Sequence, residues 1–189
     1  MNSRMVCVAH VTGLINSYQC GSLAGLSASD ATTTLTHEVR TLLMIGRKVS
    51  TLFLDIKGGF DNVNPAALYG MMKAKGVNPY IMSWTKSFLS GRTCRPLYQG
   101  SPRVFAPVSV RTTQWAPVSP MLFVIYVSLL HCKIPQGLML SYVDDFGLMV
   151  SSASYRRNIQ TLQREYGRIK AKGAVLGVGF WVPKTELIH

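Results

Sequence analysis

The sequence predicts an α+β domain in which a mostly antiparallel sheet carries helices on one face. Three segments indicate this architecture. Residues 49–56, VSTLFLDI, form a near-continuous apolar run of strand-forming residues. Residues 137–150, GLMLSYVDDFGLMV, follow the pattern of strand, tight turn and strand. Between Tyr155 and Ile169, apolar residues recur at helical spacing on one face, with arginine and glutamine on the other.

The other helices are predicted from periodicity and from helix-start residues. Leu35, Val39 and Leu42 share one helical face, and Pro65 suits the first position of a helix. Helices are therefore expected over residues 33–46, from Asn64-Pro65 onward, over residues 78–89 and, as a buried helix, over residues 121–131.

Three segments carry weaker signals. The first thirty residues are expected to be irregular, because residues 20–31 are rich in glycine, serine and alanine. Residues 93–111 alternate loosely between apolar and polar, which predicts a pair of short strands. Residues 175–182 are predicted to form a final strand.

The composition describes a basic globular protein. The 189 residues suffice for one domain with a sizeable core, and 48% hydrophobic against 15% charged residues excludes a disordered chain. The net charge of +12 predicts a polyanionic partner, either nucleic acid or an anionic membrane surface. A solvated basic surface is the simpler alternative. The basic residues recur along the whole chain, which favours an extended groove over a targeting arm.

Cysteine spacing and hydropathy predict the compartment. The four cysteines form no Cys-x-x-Cys pair and no Cys/His cluster, so a zinc site or a disulfide framework is not expected. The sequence shows no secretory signal, and its longest apolar run, residues 121–130, is too short to cross a bilayer. We therefore expect an intracellular protein, cytoplasmic or nuclear, with no membrane partner.

Three of the eight acidic residues occupy positions that could form a metal site. Asp55 ends the apolar strand, and Asp144 and Asp145 lie in the turn of the apolar hairpin. If these strands are neighbours, three carboxylates converge at one edge of the sheet and repel one another unless a cation neutralises them. Carboxylates suit Mg²⁺, and a pair of such ions promotes in-line attack at phosphorus. A purely structural role would also explain these aspartates, because Asp-Asp is common in turns and Asp55 could cap a helix.

Five stretches in order resemble the motifs of reverse transcriptases, most closely those of the non-LTR (LINE-type) retrotransposons. FLDIKGGFDNV (residues 53–63) and YVDD (residues 142–145) resemble the two metal-binding motifs. QCGSLAGLSASDA (residues 19–31) is similar to the fingers motif, TQWAPVSPMLF (residues 113–123) to the template-contact motif, and PKTELIH (residues 183–189) to the Lys-Thr-Glu segment. The resemblance covers residues 10–189. It implies a polymerase palm over residues 49–189 and a partial fingers segment over residues 1–48, with the thumb absent.

The resemblance implies an RNA-directed DNA polymerase that uses two Mg²⁺ ions, with Mn²⁺ as a substitute. Asp55 and Asp144 would bridge the ions, Asp145 would assist, and the Ile56 carbonyl would complete the metal shell. Lys184 would protonate the pyrophosphate leaving group, unless it is only a solvated loop lysine. The partners implied are an RNA template, a DNA primer and deoxynucleoside triphosphates, and a further chain or partner would supply the missing thumb.

The same resemblance assigns the substrate contacts. Lys57, Gly58 and Gly59 would bind the triphosphate, and Phe60 would lie under the sugar and exclude a 2′-hydroxyl, unless it belongs to the core. Gln114 would contact the template base and the nucleotide.

Departures from the family pattern predict impaired activity. Leu23 and Leu26 stand where the fingers motif has arginines, so two phosphate-binding charges are missing, and arginines there are expected to restore activity. Trp115 stands where the template-contact motif has a glycine. The alternative function is a non-catalytic, basic nucleic-acid-binding remnant of a retrotransposon palm. An unrelated ferredoxin-like RNA-binding domain is disfavoured, because its Lys/Arg-Gly-Phe-type aromatic motif is missing from the sequence.

Overall fold

The computed structural model describes residues 2–23, 25–91, 93–94, 97–98, 101–102, 106–107 and 116–189. The helices are α1 (Asn2–Val11), α2 (Ala28–Met44), α3 (Pro65–Ala74), α4 (Pro79–Leu89), α5 (Ser119–Val127) and α6 (Tyr155–Leu176). The strands are β1 (Gln19–Cys20), β2 (Lys48–Lys57), β3 (Thr93–Cys94), β4 (Leu97–Tyr98), β5 (Ser101–Pro102), β6 (Ala106–Pro107), β7 (Gly137–Tyr142), β8 (Asp145–Ser152), β9 (Gly179–Phe180) and β10 (Glu186–Ile188). Single 3-10 turns lie at Phe60–Asn62, Ser128–Leu130 and Val182–Lys184.

Six of the described strands form one sheet in the order β1-β7-β8-β2-β10, with β9 also paired to β2. The pair β1–β7 is parallel, and the other pairs of this sheet are antiparallel. Strand β2 is the organising strand, because it pairs with β8 from Lys48–Ser152 to Asp55–Asp145 and with β10 and β9 on its other side. The end of β2 is thus held from both sides.

The main core lies behind one face of this sheet. Helix α5 is buried along nearly its whole length, which suits a helix that is apolar all round. Helix α6 packs beside it through Leu162, Ile169 and Leu176 and contacts β2, whose Leu54 and Ile56 belong to the same core cluster. This is the helical layer that the sequence predicts.

Helix α2 covers part of the opposite face. Its capping box at Ser27 and Asp30 begins the helix, and Leu35, Val39 and Leu42 pack on a smaller cluster that includes Val49 and Met149. The predicted helical layer is therefore confirmed, and the segment assigned to the fingers adds a helix on the other side.

Two predictions from the sequence are wrong. The first thirty residues are not irregular throughout, because residues 2–11 form helix α1, residues 19–20 form β1 and α2 begins at Ala28. Met5 and Ala9, one turn apart, are the buried contacts of α1. Residues 175–182 do not form one strand, because α6 continues to Leu176 and ends at Gly177, whose φ of +74° suits a glycine after a helix. Only Gly179–Phe180 pairs with β2 there. Within residues 93–111, the described fragments β3–β6 form two short antiparallel pairs, and the rest lies outside the described residues.

Nowhere in the described part of the chain is there a helix with the length and apolar character needed to cross a membrane.

Candidate active site at the end of strand β2

The first carboxylate of the candidate site, Asp55, lies two residues before the end of β2. It stands directly opposite Asp145 in the β2–β8 ladder. Because opposite residues in an antiparallel pair point to the same face of the sheet, Asp55 and Asp145 both lie on the face that α2 covers. The Asp55 side chain is 16% exposed, so it is largely desolvated yet reachable. The sequence-based prediction that Asp55 and the hairpin share one sheet is confirmed.

The turn between β7 and β8 places Asp144 next to the end of β2. The backbone N–H of Ile56 donates to the Asp144 carbonyl at 3.2 Å, which ties the turn to the end of β2. Val143 adopts a φ of +55°, in the left-handed region that β-branched residues rarely occupy. Such strain costs on the order of 1–3 kcal/mol and persists only where neighbours enforce it.

Strand β1 and the glycine after it hold Val143 in this conformation. The Val143 N–H donates to the Cys20 carbonyl at 3.2 Å. A Cβ on Gly21 would lie 2.7 Å from Val143 Cγ2, so the glycine lets the two segments approach. The segment that resembles the fingers motif therefore supports the carboxylate turn directly, a contact that sequence reasoning did not predict.

Asp55 and Asp144 line one open cavity of about 370 Å³. Its walls also include Ile56, Lys57, Gly58, Gly59, Phe60, Trp181 and Lys184. Asp145 lines a neighbouring cavity of about 310 Å³ under α2. Partial desolvation, followed by the charges of Asp144 and Asp55, raises the pKa of Asp145, and Lys184 opposes this effect. The charges of Asp144 and Asp55 thus act on Asp145, although Asp145 lines a different cavity.

Among the described residues, Lys184 forms an ion pair with Asp55. Its Nζ lies 2.6 Å from Asp55 Oδ2, although 68% of the Lys184 side chain is exposed. The hydrogen bond to Asp55 and the Asp55 charge raise the pKa of Lys184. Two backbone bonds hold this geometry, because the Trp181 N–H donates to the Asp55 carbonyl at 2.8 Å and the Lys184 N–H donates to the Trp181 carbonyl at 3.0 Å.

The oxygen ligands offered by this cavity suit a divalent cation that is also bound to phosphate groups. No group of three or more His, Cys, Asp or Glu is arranged to hold a metal ion among the described residues. Asp55 and Asp144 do, however, present two carboxylates to one cavity, beside the backbone of Ile56. Mg²⁺ is usually held by one or two carboxylates plus substrate phosphates and water. The residues therefore fit a metal–triphosphate complex better than an isolated ion.

The residues that follow Asp55 form the floor of the cavity. Gly58 has a φ of +62°, and a Cβ on Gly59 would lie 2.6 Å from Phe123 Cζ, so packing against α5 requires a glycine there. The Phe60 ring stacks on Phe123 with 4.8 Å between centroids. Phe60 is therefore at once packed against the core and part of the cavity wall.

One wall residue was missed by the sequence reasoning. Trp181 is 41% exposed, and Lys57 Nζ lies 5.4 Å from the centre of its ring. A tryptophan two residues before Pro183-Lys184 was the available signal. Gln114 and Trp115, singled out from the sequence, lie outside the described residues.

A larger cavity of about 500 Å³ lies between α2 and β10. Its described lining is mainly apolar and includes no carboxylate, so the chemistry points to the smaller cavity at Asp55.

The chain belongs to the reverse transcriptase (RNA-dependent DNA polymerase) family, whose sequence model matches residues 2–189. This confirms the family-level prediction made from the ordered motifs. No curated protein matches the sequence.

Solved telomerase structures are similar to this chain in fold. The apo telomerase of Candida tropicalis aligns with 14% identity and a TM-score of 0.69 over 100% of this chain and 36% of its own. A form of that enzyme truncated from its C-terminal domain aligns with 14% identity and a TM-score of 0.67. The alignment covers 99% of this chain and 39% of the telomerase chain. The Candida albicans telomerase in complex with the TWJ fragment of telomeric RNA aligns with 13% identity and a TM-score of 0.69 over 96% and 33%. The chain thus spans between a third and two fifths of these proteins, and the predicted palm fold is confirmed.

Proposed function

We propose that this chain is an RNA-directed DNA polymerase domain that extends a DNA primer along an RNA template, of the non-LTR retrotransposon type. The observation that supports this most directly is the cavity in which Asp55 and Asp144 meet Gly58 and Lys184. In this proposal residues 1–48 form a partial fingers segment and residues 49–189 the palm.

Asp55 and Asp144 would hold two divalent ions, with the Ile56 carbonyl and the triphosphate oxygens completing the shell and Asp145 assisting. When bound, such ions activate the primer hydroxyl and neutralise charge at phosphorus. Burial, followed by the charges of Asp144 and Asp55, raises the pKa of Asp145. A bound cation would relieve the repulsion, so the carboxylates are suited to receive one.

The two lysines of the cavity would act on the triphosphate. Lys57 and Lys184 line the cavity and are both exposed, so their positive charges would attract the polyanion from solution. Lys184 would release Asp55 and then donate a proton to the pyrophosphate oxygen that leaves. Its pairing with Asp55 at 2.6 Å keeps the ammonium protonated and close to the reacting atoms.

The glycines and Phe60 would define the nucleotide position. Gly58 and Gly59 present backbone without side chains, so phosphates can approach closely. Because the Phe60 ring is braced by Phe123, it forms a stiff wall that would exclude a ribose 2′-hydroxyl. Selection of deoxynucleotides follows from this steric wall.

Primer extension tests the proposal. A labelled DNA primer on an RNA template is incubated with deoxynucleotides and Mg²⁺, or with Mn²⁺, and the chain is compared with an Asp144→Asn, Asp145→Asn variant. We expect slow synthesis of short products by the parent and background by this variant. A matched control, Glu38→Gln with Glu186→Gln, also removes two carboxylates, away from the cavity, and should retain parental activity. Equal extension by the carboxylate variant and the parent would overturn the assignment.

A non-catalytic nucleic-acid-binding role is the second candidate, and the apolar fingers segment favours it. Leu23 is 7% exposed and belongs to the main core, so it offers no phosphate contact. RNA binding without primer extension in either metal would support this role.

A further inference from the structure

The outer face of α6 is the most basic surface of any described helix. Six cations lie on this helix, and all are exposed: Arg156, Arg157, Arg164, Arg168, Lys170 and Lys172. The structure describes α6 throughout, and its one acid is the buried Glu165. Arg157, Arg164, Arg168 and Lys172 follow one line along the helix, which rises over about 22 Å at 1.5 Å per residue.

This surface is separate from the candidate active site. Asn158 bonds Ser50 and the Lys48 carbonyl, and Leu162 and Ile169 enter the main core, so the inner face of α6 packs on the side of β2 opposite to α2. Asp55 and Asp145 lie on the α2 side. The basic line therefore points away from the back of the sheet, and its charges do not line the Asp55 cavity.

One feature shows that arginines are placed at a cost to the helix, and another shows how two of them are held. The first turn carries Arg156 and Arg157 with no acid, although a helix N-terminus favours negative charge. The other feature is Glu165, which is 1% exposed and binds Arg164 at 3.1 Å and Arg168 at 2.7 Å. The two arginine side chains remain 62% and 60% exposed, so the buried carboxylate holds them in place while they stay accessible to solvent.

We propose that the outer face of α6 is a second binding site for a single nucleic-acid strand, which it holds by its phosphates. The line of cations on α6 contains no exposed aromatic ring on which a base could stack. Such cations hold the phosphate backbone of a nucleic acid and do not read its bases, so binding is expected to be independent of sequence. A membrane surface is the less suitable partner, because a helix that lies in a bilayer needs a free apolar face and that of α6 is in the core. The site goes beyond the proposed polymerase function and would guide the template strand outside the Asp55 cavity.

Fluorescence anisotropy with a labelled single-stranded RNA, at several salt concentrations, tests the proposal. The test variant is Arg156→Gln, Arg157→Gln, Lys170→Gln, Lys172→Gln, which leaves the pairs of Glu165 intact. The control variant, Arg4→Gln, Lys73→Gln, Lys75→Gln, Lys86→Gln, removes the same charge from exposed sites on α1, α3, α4 and the residue after α3. We expect the slope of log affinity against log salt to fall by about 0.7 for each phosphate that the test variant no longer neutralises, and to change far less in the control.

The outcomes separate this site from the polymerase function. Weaker RNA binding by the test variant than by the control supports the proposal, whether or not the chain extends primers. Equal loss in both variants would show that only net charge matters and would overturn it. Anionic phosphatidylserine vesicles form a parallel arm, and loss of vesicle binding with unchanged RNA binding would assign the face to a membrane instead.

Discussion

At the scale of single residues, the turn that carries Asp144 depends on a buried polar chain beneath it. His131 Nε2 lies 2.6 Å from Ser141 Oγ, and the Ser141 hydroxyl donates to Gln19 Oε1. Because the serine proton is engaged by Gln19, the network assigns the His131 proton to Nε2. Ser141 precedes Tyr142 and the carboxylate turn, so this network anchors the strand that positions Asp144.

His131 should make the protein sensitive to acid. Burial, followed by the Lys172 charge, lowers its pKa from 6.5 to about 4, and Nδ1 has no hydrogen-bond partner among the described residues. Because the pKa of His131 is lower in the folded protein than in the unfolded chain, the unfolded chain binds more protons as the pH falls below 6.5. Stability is therefore present above pH 6.5 and is lost as pH falls toward 4, by on the order of 2–3 kcal/mol.

Denaturant unfolding between pH 7 and pH 4 measures this effect. His131→Gln keeps a donor for Ser141 and cannot titrate, so its stability should fall less over this window than that of the parent. His37→Gln changes an exposed histidine and serves as the control. Parallel curves for His131→Gln and the parent would refute the assignment.

At the scale of elements, the segment between β1 and α2 contributes apolar side chains to the core. Leu23 is buried in the main cluster, and Leu26 is half-buried against both clusters. The sequence comparison suggests that arginines at both positions would restore phosphate binding. The packing indicates a different outcome at each position, because only Leu26 has a path to solvent.

Leu23→Arg is expected to destabilise the fold by about 3 kcal/mol or more, since it places a charge within the main apolar cluster. Leu26→Arg should cost about 1 kcal/mol, because the arginine stem can follow the apolar surface while its head reaches water. Thermal or denaturant unfolding compares them, with Leu23→Met as the volume-matched control. A stable Leu23→Arg protein with increased primer extension would show that this segment turns outward when charged.

At the scale of the whole molecule, apolar surface is exposed around strand β10, near the candidate site. Val182, Leu187 and Ile188 are 66%, 44% and 54% exposed, beside Trp181. Strand β10 pairs with β2 on one side, and no described strand pairs with its other side. An open apolar edge of this kind favours pairing with another chain.

We expect the protein to self-associate at high concentration and Leu187→Lys to reduce this, because a lysine on an edge strand opposes strand pairing. Sedimentation velocity over a range of concentrations measures the change. Val11→Lys adds the same charge at an 82% exposed site at the end of α1 and should leave association unchanged. A parent chain that remains monomeric throughout would contradict the prediction.

Local pattern alone predicted the strand with Asp55, the hairpin with Asp144 and Asp145, and the apolar face of α6. These elements are strongly periodic or continuously apolar, so their local preference and their packing agree. The pattern failed for α1, whose two buried contacts leave little periodicity. It also failed at residues 175–182, where a strand was predicted but α6 continues to Leu176, which is packed in the core.

The sequence by itself determined which carboxylates could meet, because Asp55 ends an apolar strand and the Asp-Asp pair lies in the turn of an apolar hairpin. Only the tertiary structure decided that Lys184 reaches Asp55, that Gly21 supports Val143, and that the α6 cations face away from the cavity. Those relations join residues far apart in the chain, on different elements. Their distances depend on how the layers pack, and a local sequence pattern carries no record of that packing.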